Sequence, residues 1–187
     1  MTPLKFSCEI AILAGGLSTR MGKDKARLRL GQRTLLGHVR LRANALGLPV
    51  RVIRRDLVSR CGPLGGIYTA LCRDRAESVL FLSCDMPFVS EALLGNLLAR
   101  IGEATVAVFV NTNGILGFPF WLRRRNALPV VAAQLERGDH SLQALAKTLH
   151  AESFFPLAGQ AGQLCNINTS SDWEFARRYW ARLTCQR

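Results

Sequence analysis

No two of the six cysteines (Cys8, Cys61, Cys72, Cys84, Cys165, Cys185) form a CxxC pair, which argues against zinc, iron–sulfur and thioredoxin-type chemistry. Free thiols in a reducing compartment are the simplest account. Histidine is equally sparse: His38, His140 and His150 match no metal-ligand spacing and read as structural or surface residues. The roughly 18 consecutive apolar residues that a membrane span needs are missing, since even LPVVAAQLERG breaks after Leu135. The opening stretch MTPLKFSCEIAILAGG is interrupted by Lys5 and Glu9 and leads into a glycine loop instead of a cleavage site, so no signal peptide is expected. Aromatic residues amount to 7%, and none interleave with the basic groups Arg54–Arg55, Arg123–Arg125 and Arg177–Arg178, so a dedicated nucleic-acid reader lacks its stacking platform. Acids are few as well: 13 against 25 bases give a net charge of +12, which attracts anions without saying which. Most of the arginines read as a solvated basic surface. With 49% hydrophobic residues and only 7 prolines, no linker or long disordered tail stands out, and 187 residues suit one domain, 1–187.

Apolar, β-branched runs suited to buried strands occur at CEIAILA (8–14), VRVI (50–53), SVLFLS (78–83), TVAVFV (105–110) and LCNI (164–167). Helical stretches lie between them. Residues 34–47 close with a glycine suited to a C-cap, and residues 66–76 carry Ile67, Ala70 and Leu71 at helical spacing. Ser90 and Ser141 are placed as N-caps for EALLGNLLARIG and LQALAKTLH, and Ser170 or Ser171 for DWEFARRYWARL. Strands alternating with helices imply right-handed crossovers and an α/β fold, a three-layer αβα Rossmann-like sandwich around a mostly parallel sheet. In such a sheet the ligand sits at the carboxyl ends of the strands.

CEIAILA runs into GGLSTRMGKDKA, a glycine-rich loop with Ser18, Arg20, Lys23 and Lys25. Glycines there let backbone N–H groups approach phosphate oxygens, and the cations neutralise a polyphosphate. The loop is not a Walker A site, because Leu17 stands where a glycine is required and Asp24 where Ser or Thr is required; nor does it contain GxGxxG. RCGPLGGIYTAL places Gly62, Pro63, Leu64, Gly65 and Gly66 before a helix, where free N–H groups suit an anion or a base edge, or form only a tight turn. SVLFLSCDMPF ends a hydrophobic strand in Asp85, a carboxylate placed either to hold Mg²⁺ or to cap a turn. LCNINTSSDWEFA sets Asn166 and Asn168 on alternate strand positions, pointing to one side, or else offers them for capping.

As a whole, LAGGLSTRMGKDK resembles the signature LAGGxSxRMGxDK of the molybdenum cofactor guanylyltransferase (MobA-like) family, within the nucleotide-diphospho-sugar transferase superfamily; the signature fixes about ten of its thirteen positions. GPLGGI with Asp56 upstream is similar to the family's second motif, CDMPF to its metal-binding motif, and NINT to the element that closes over the active site. The resemblance spans about residues 10–176. It implies a cytoplasmic, Mg²⁺-dependent nucleotidyltransferase that moves GMP from GTP to the molybdopterin cofactor with release of pyrophosphate. In that reading Leu13, Ala14, Gly15, Gly16, Ser18, Asp56 and Gly62 bind the nucleotide, Arg20 and Lys25 neutralise the triphosphate, and Asp85 holds the metal. Pro119, Asn166 and Asn168 lie on the acceptor side. Transient contact with the molybdenum insertion machinery or a molybdoenzyme is implied, and contact with membrane or nucleic acid is not.

Two departures stand out. Between Lys25 and Asp56 the chain is shorter than in its relatives, which carry a strand ending in a nucleotide-touching asparagine; Asn44 is a candidate remnant and equally fits the end of helix 34–47. Phe118 and Pro119 stand where relatives carry His-Pro for the pterin, with Arg123–Arg125 and RGDHSLQAL as sources of compensating contacts or as solvated surface. A cytidylyltransferase acting on the same cofactor shares the loop and the aspartate. A sugar-phosphate transferase would bring Pro-Lys where this chain has Asp24 and Lys25. The charge of +12 also admits a non-catalytic nucleotide- or nucleic-acid-binding protein on the same fold.

Overall fold

Six strands in the order β4-β1-β5-β7-β6-β8 make the central sheet of the computed structural model, which describes residues 6–15, 28–73 and 75–185. The first strand, β1 (Cys8–Leu13), is parallel to β4 (Val50–Ile53) on one side and to β5 (Ser78–Ser83) on the other. Next to β5 runs β7 (Ile115–Arg123), antiparallel to it and to β6 (Ala107–Thr112); β6 is parallel to the short β8 (Glu152–Phe154). Only β7 opposes the others, so the sheet is mostly parallel, as expected. A small hairpin, β2 (Arg29–Leu30) and β3 (Arg33–Thr34), stands apart.

Alternation of side chains along each strand feeds two cores, one on each face of the sheet. Ile10, Ile12, Leu80, Leu82, Val108 and Trp121 meet α1 (Leu35–Asn44) and α3 (Glu91–Leu98). Ala11, Leu13, Val79, Phe81, Phe109 and Phe120 face the opposite way, onto α2 (Gly62–Arg73), α4 (Arg124–Glu136) and α5 (Leu142–Thr148). That makes the expected αβα sandwich. In-register neighbours Phe81, Phe120 and Phe109 stack across three strands with centroids 5.0 and 4.4 Å apart, an aromatic column that pins the antiparallel strand between its neighbours. A third cluster, with Leu30, Leu35, Phe88, Ile167 and Ala176 buried, seats α6 (Ser170–Cys185) against the hairpin. No helix among the described residues is long and apolar enough to cross a membrane.

Several expectations change. LCNI is not a strand: a 3₁₀ turn (Ala161–Leu164) leads into an extended stretch outside the sheet, because Ile167 is drawn into the third cluster and its N–H bonds to Asp85 O at 3.0 Å. β7 was not among the expected strands, since Pro119, in a cis peptide with Phe118, argues against one. The sheet accommodates it in a bulge: pairing with β6 shifts between Phe109 and Val110, and pairing with β5 stops at Phe81–Phe120. TVAVFV begins pairing two residues later than expected, at Ala107. The helix expected over 66–76 starts at Gly62, so Gly65 and Gly66 belong to its first turns. Ser90 and Ser141 cap as expected, accepting from Leu93 N and Ala144 N at 3.2 Å. On α6 the cap is Thr169 instead of Ser170 or Ser171: Thr169 Oγ1 accepts from Asp172 N at 3.1 Å and Asp172 Oδ2 from Thr169 N at 2.8 Å, a reciprocal capping box.

Candidate active site

The topology reverses between β1 and β5, since from β1 the chain goes first to β4 on one side and later to β5 on the other. An open α/β sheet forms its ligand crevice at the carboxyl end of such a switch point. Two backbone bonds draw the strand ends together there: Ala14 N donates to Ile53 O at 2.8 Å, and Cys84 N to Leu13 O at 3.1 Å. Leu13 is level with Ser83, so Gly15 and Asp85 each follow two residues beyond the same rung. The start of the glycine loop and the acidic residue therefore emerge side by side at one rim. Gly16, Ser18, Arg20 and Lys25 lie outside the described residues.

Asp85 is half-buried and accepts a 2.6 Å hydrogen bond from Ser83 Oγ, which orients the carboxylate from within its own turn. Its backbone oxygen holds Ile167 N, bringing the Asn166–Asn168 stretch to this rim. Burial pushes the Cys165 thiol up, with the charges of Asp172 and Asp85 adding to the effect. Asn166 is exposed and Asn168 half-buried on either side of buried Ile167. Both lie on a loop and not on a strand.

Asp56 lies just past the end of β4, seated among three glycines. A Cβ on Gly15 or Gly66 would stand 3.4 Å from Asp56 Oδ1, and one on Gly65 3.2 Å from Oδ2. The missing side chains let a carboxylate pack against both the start of the glycine loop and the first turns of α2. Leu57 N donates to Thr69 Oγ1 at 2.8 Å, and that hydroxyl donates to Gly65 O at 2.7 Å, tying the Asp56 loop to α2. Burial pushes the Asp56 carboxyl above its ordinary range. Gly62 opens α2 at φ +55°, a left-handed conformation that favours glycine.

Residues 10–153 match the family described as the MobA-like NTP transferase domain, over more than half of the chain. The chain belongs to the MobA-like NTP transferase family. It is accordingly a nucleotidyltransferase, and it is 30% identical over 178 residues to a probable molybdenum cofactor guanylyltransferase of Flavobacterium johnsoniae, covering 86% of this chain and 92% of that protein. Its fold matches molybdopterin-guanine dinucleotide biosynthesis protein A from Archaeoglobus fulgidus at a TM-score of 0.72 and 18% identity, covering 93% of this chain and 99% of that one. A nucleotidyl transferase from Methanothermobacter matches at a TM-score of 0.74 and 18% identity, over 95% and 99% of the two chains.

Within this MobA-like sandwich, Pro119 is buried in the β7 bulge, on the half of β7 that points toward the rim of Asp85. Gln143 from the RGDHSLQAL stretch hydrogen-bonds both backbone groups of Leu116 and so fastens α5 to that half of the strand. Two sequence candidates are placed elsewhere. Asn44 is exposed at the end of α1, where the chain returns to the start of β4, at the opposite rim. Arg123, where β7 passes into Arg124 and Arg125, stands level with the beginning of β5, again at the opposite rim. β4 is an edge of the six-stranded sheet and runs straight into Arg54, Arg55 and Asp56.

Ser83 and Cys165 were not singled out by sequence. A serine two residues before an aspartate carries a weak signal for a local hydroxyl–carboxylate bond, and the position of Cys165 depends on the folding back of the whole C-terminal segment. For a divalent ion the donor set fits Mg²⁺: among the described residues no group of three or more His, Cys, Asp or Glu could hold a metal by itself, and a lone carboxylate suits an ion that keeps waters and takes its other ligands from substrate phosphates.

Proposed function

We propose that this MobA-like transferase moves GMP from GTP onto the terminal phosphate of the molybdopterin cofactor, in the cytoplasm, with residues 1–187 acting as one domain. The observation that supports this reading is the pairing of Leu13 with Ser83 and the Cys84 N to Leu13 O bond, from which Gly15 and Asp85 each follow two residues on. A phosphate oxygen of the acceptor attacks the α-phosphorus of GTP in line; that P–O bond forms as the bond to the β-phosphate bridging oxygen breaks, and pyrophosphate leaves. The acceptor phosphate is already ionised, so no general base is required. Catalysis then rests on position and charge neutralisation.

Leu13, Ala14, Gly15 and Gly16 line the base and phosphate pocket, with Ser18 and Gly62 contributing hydrogen-bonding groups and Asp56 a carboxylate for the nucleoside. Arg20 and Lys25 hold the triphosphate. Pro119, Asn166 and Asn168 shape the acceptor side. Asp85, oriented by Ser83, would hold Mg²⁺, which supplies charge neutralisation between the phosphates when bound. Hand-over to the molybdenum insertion machinery or a molybdoenzyme follows.

Incubation with molybdopterin cofactor, GTP and Mg²⁺ is expected to yield the guanine dinucleotide by mass. In Asp85→Ala the rate should fall on the order of 10²-fold or more, with the circular dichroism spectrum unchanged. A dinucleotide formed from CTP and not GTP would overturn the guanine assignment, and RNA binding without pyrophosphate release would overturn the enzyme.

A further inference from the structure

At the rim opposite Asp85, a cavity of about 180 Å³ opens between the end of α2 and the junction of β7 with α4, lined by Arg75, Ala76, Glu77, Arg123, Arg124 and Arg125. Four arginines there face one glutamate. Two of the guanidinium groups are held in place. Arg123 donates from Nε to Thr105 O at 2.9 Å and from Nη2 to Gly102 O at 3.2 Å, and lies over the Phe6 ring at 4.5 Å. Arg124 donates from Nε to Leu71 O at 2.7 Å. These acceptors are neutral carbonyls, so they fix the cations without cancelling their charge. Glu77 Oε2 accepts from Ser7 N at 2.9 Å, and among the described residues none of the four arginines forms an ion pair.

Like charges lining one cavity repel one another. The start of α4 adds to the repulsion, because its first turn carries no acid and its cap residue, Arg123, makes no side-chain capping bond. Packing gathers the cations, and among the described residues Glu77 is the one acid that lines the cavity with them. A bound oxyanion would relieve this, accepting from the guanidinium N–H groups that the carbonyls leave over. The cavity is smaller than the roughly 300 Å³ of pockets that take drug-sized ligands, so its occupant is small. It is also separate from the nucleotide rim by the length of β5, six residues or roughly 17 Å.

We infer that this cavity, built by Arg75, Arg123, Arg124 and Arg125, is a second anion site that takes a phosphate group carried by a small molecule. The inference does not rest on the identity of the nucleotide or the acceptor. Inorganic phosphate is the probe: the melting temperature in phosphate is compared with that in chloride at equal ionic strength. The wild type is expected to melt higher in phosphate. Arg75→Ser/Arg125→Ser should lose that shift; both side chains are exposed and without hydrogen bonds among the described residues, so the fold is retained. Arg177→Ser/Arg178→Ser removes the same charge from the exposed face of α6 and should keep the shift, as should Lys25→Ser in the glycine loop. The site is refuted by an equal melting temperature in the two salts, or by a shift that survives Arg75→Ser/Arg125→Ser. Loss of the shift in Lys25→Ser or in the α6 variant also refutes it, by assigning the effect to the nucleotide loop or to net charge.

Discussion

Glycines at two positions of the fold have opposite consequences for substitution. A Cβ on Gly65 would stand 2.6 Å from Val58 O, a backbone atom that can move only if the Asp56 loop moves. Gly65→Ala should therefore cost about 1–3 kcal/mol and weaken nucleotide binding, while Gly95→Ala, in an open position within α3, should gain about 0.5–1 kcal/mol. Denaturant titration of both variants checks this. Asp56 itself is the other sensitive residue. Its folded pKa is raised by burial, so the stability it contributes is present below the ordinary carboxylate range and is lost as pH rises through the folded pKa. At neutral pH the ionised group is a burden, and Asp56→Asn should melt higher than wild type there, with the difference fading as the solution is acidified into the carboxylate range. A lower melting temperature for that variant at pH 7 would contradict the assignment. In the same variant, affinity for the nucleotide should fall.

Among the elements, the start of α6 offers a direct measurement. Thr169→Ala removes one half of the capping box with Asp172 and should cost about 1 kcal/mol by thermal unfolding, with the loosening reaching Asn168, whose N–H shares Asp172 Oδ2 at 2.9 Å. Elements marked by a single local signal were legible in the sequence. β1, β4 and β5 follow from bounded apolar runs, and Ser90 and Ser141 from their capping positions. Where two signals conflict, the sequence misleads. β7 carries Gly117 and Pro119, and becomes a strand because a bulge absorbs the proline while Phe120 and Trp121 fill both cores. α4 hides behind an arginine run and an internal Pro129, and its helix is decided by burial of Ala127 and Val131. LCNI errs in the other direction, since an apolar stretch finds its burial beneath α6 and needs no strand partner.

At the scale of the whole molecule, charge is the dominant variable. With a net charge of +12, self-repulsion opposes the compact state, and raising the salt from about 0.01 to 0.15 M shortens the screening length from about 30 to 8 Å. The melting temperature should rise over that range in sodium chloride, and a flat response would show that local pairs such as Arg42–Glu91, at 3.1 Å, already compensate. The candidate site was legible at this scale in one respect: the order of motifs along the chain, together with the switch-point rule, brings Gly15 and Asp85 to one rim. The glycine seat of Asp56 was not, because it depends on contacts between β1, the loop after β4 and α2, which spacing along the chain does not encode. The position of β4 at the edge of the sheet has a further consequence. Its last rung leads into Arg54 and Arg55, both exposed, so two copies meeting edge to edge would bring cations onto cations. That border discourages stacking into shared ribbons, and crowded solutions of the enzyme should stay clear.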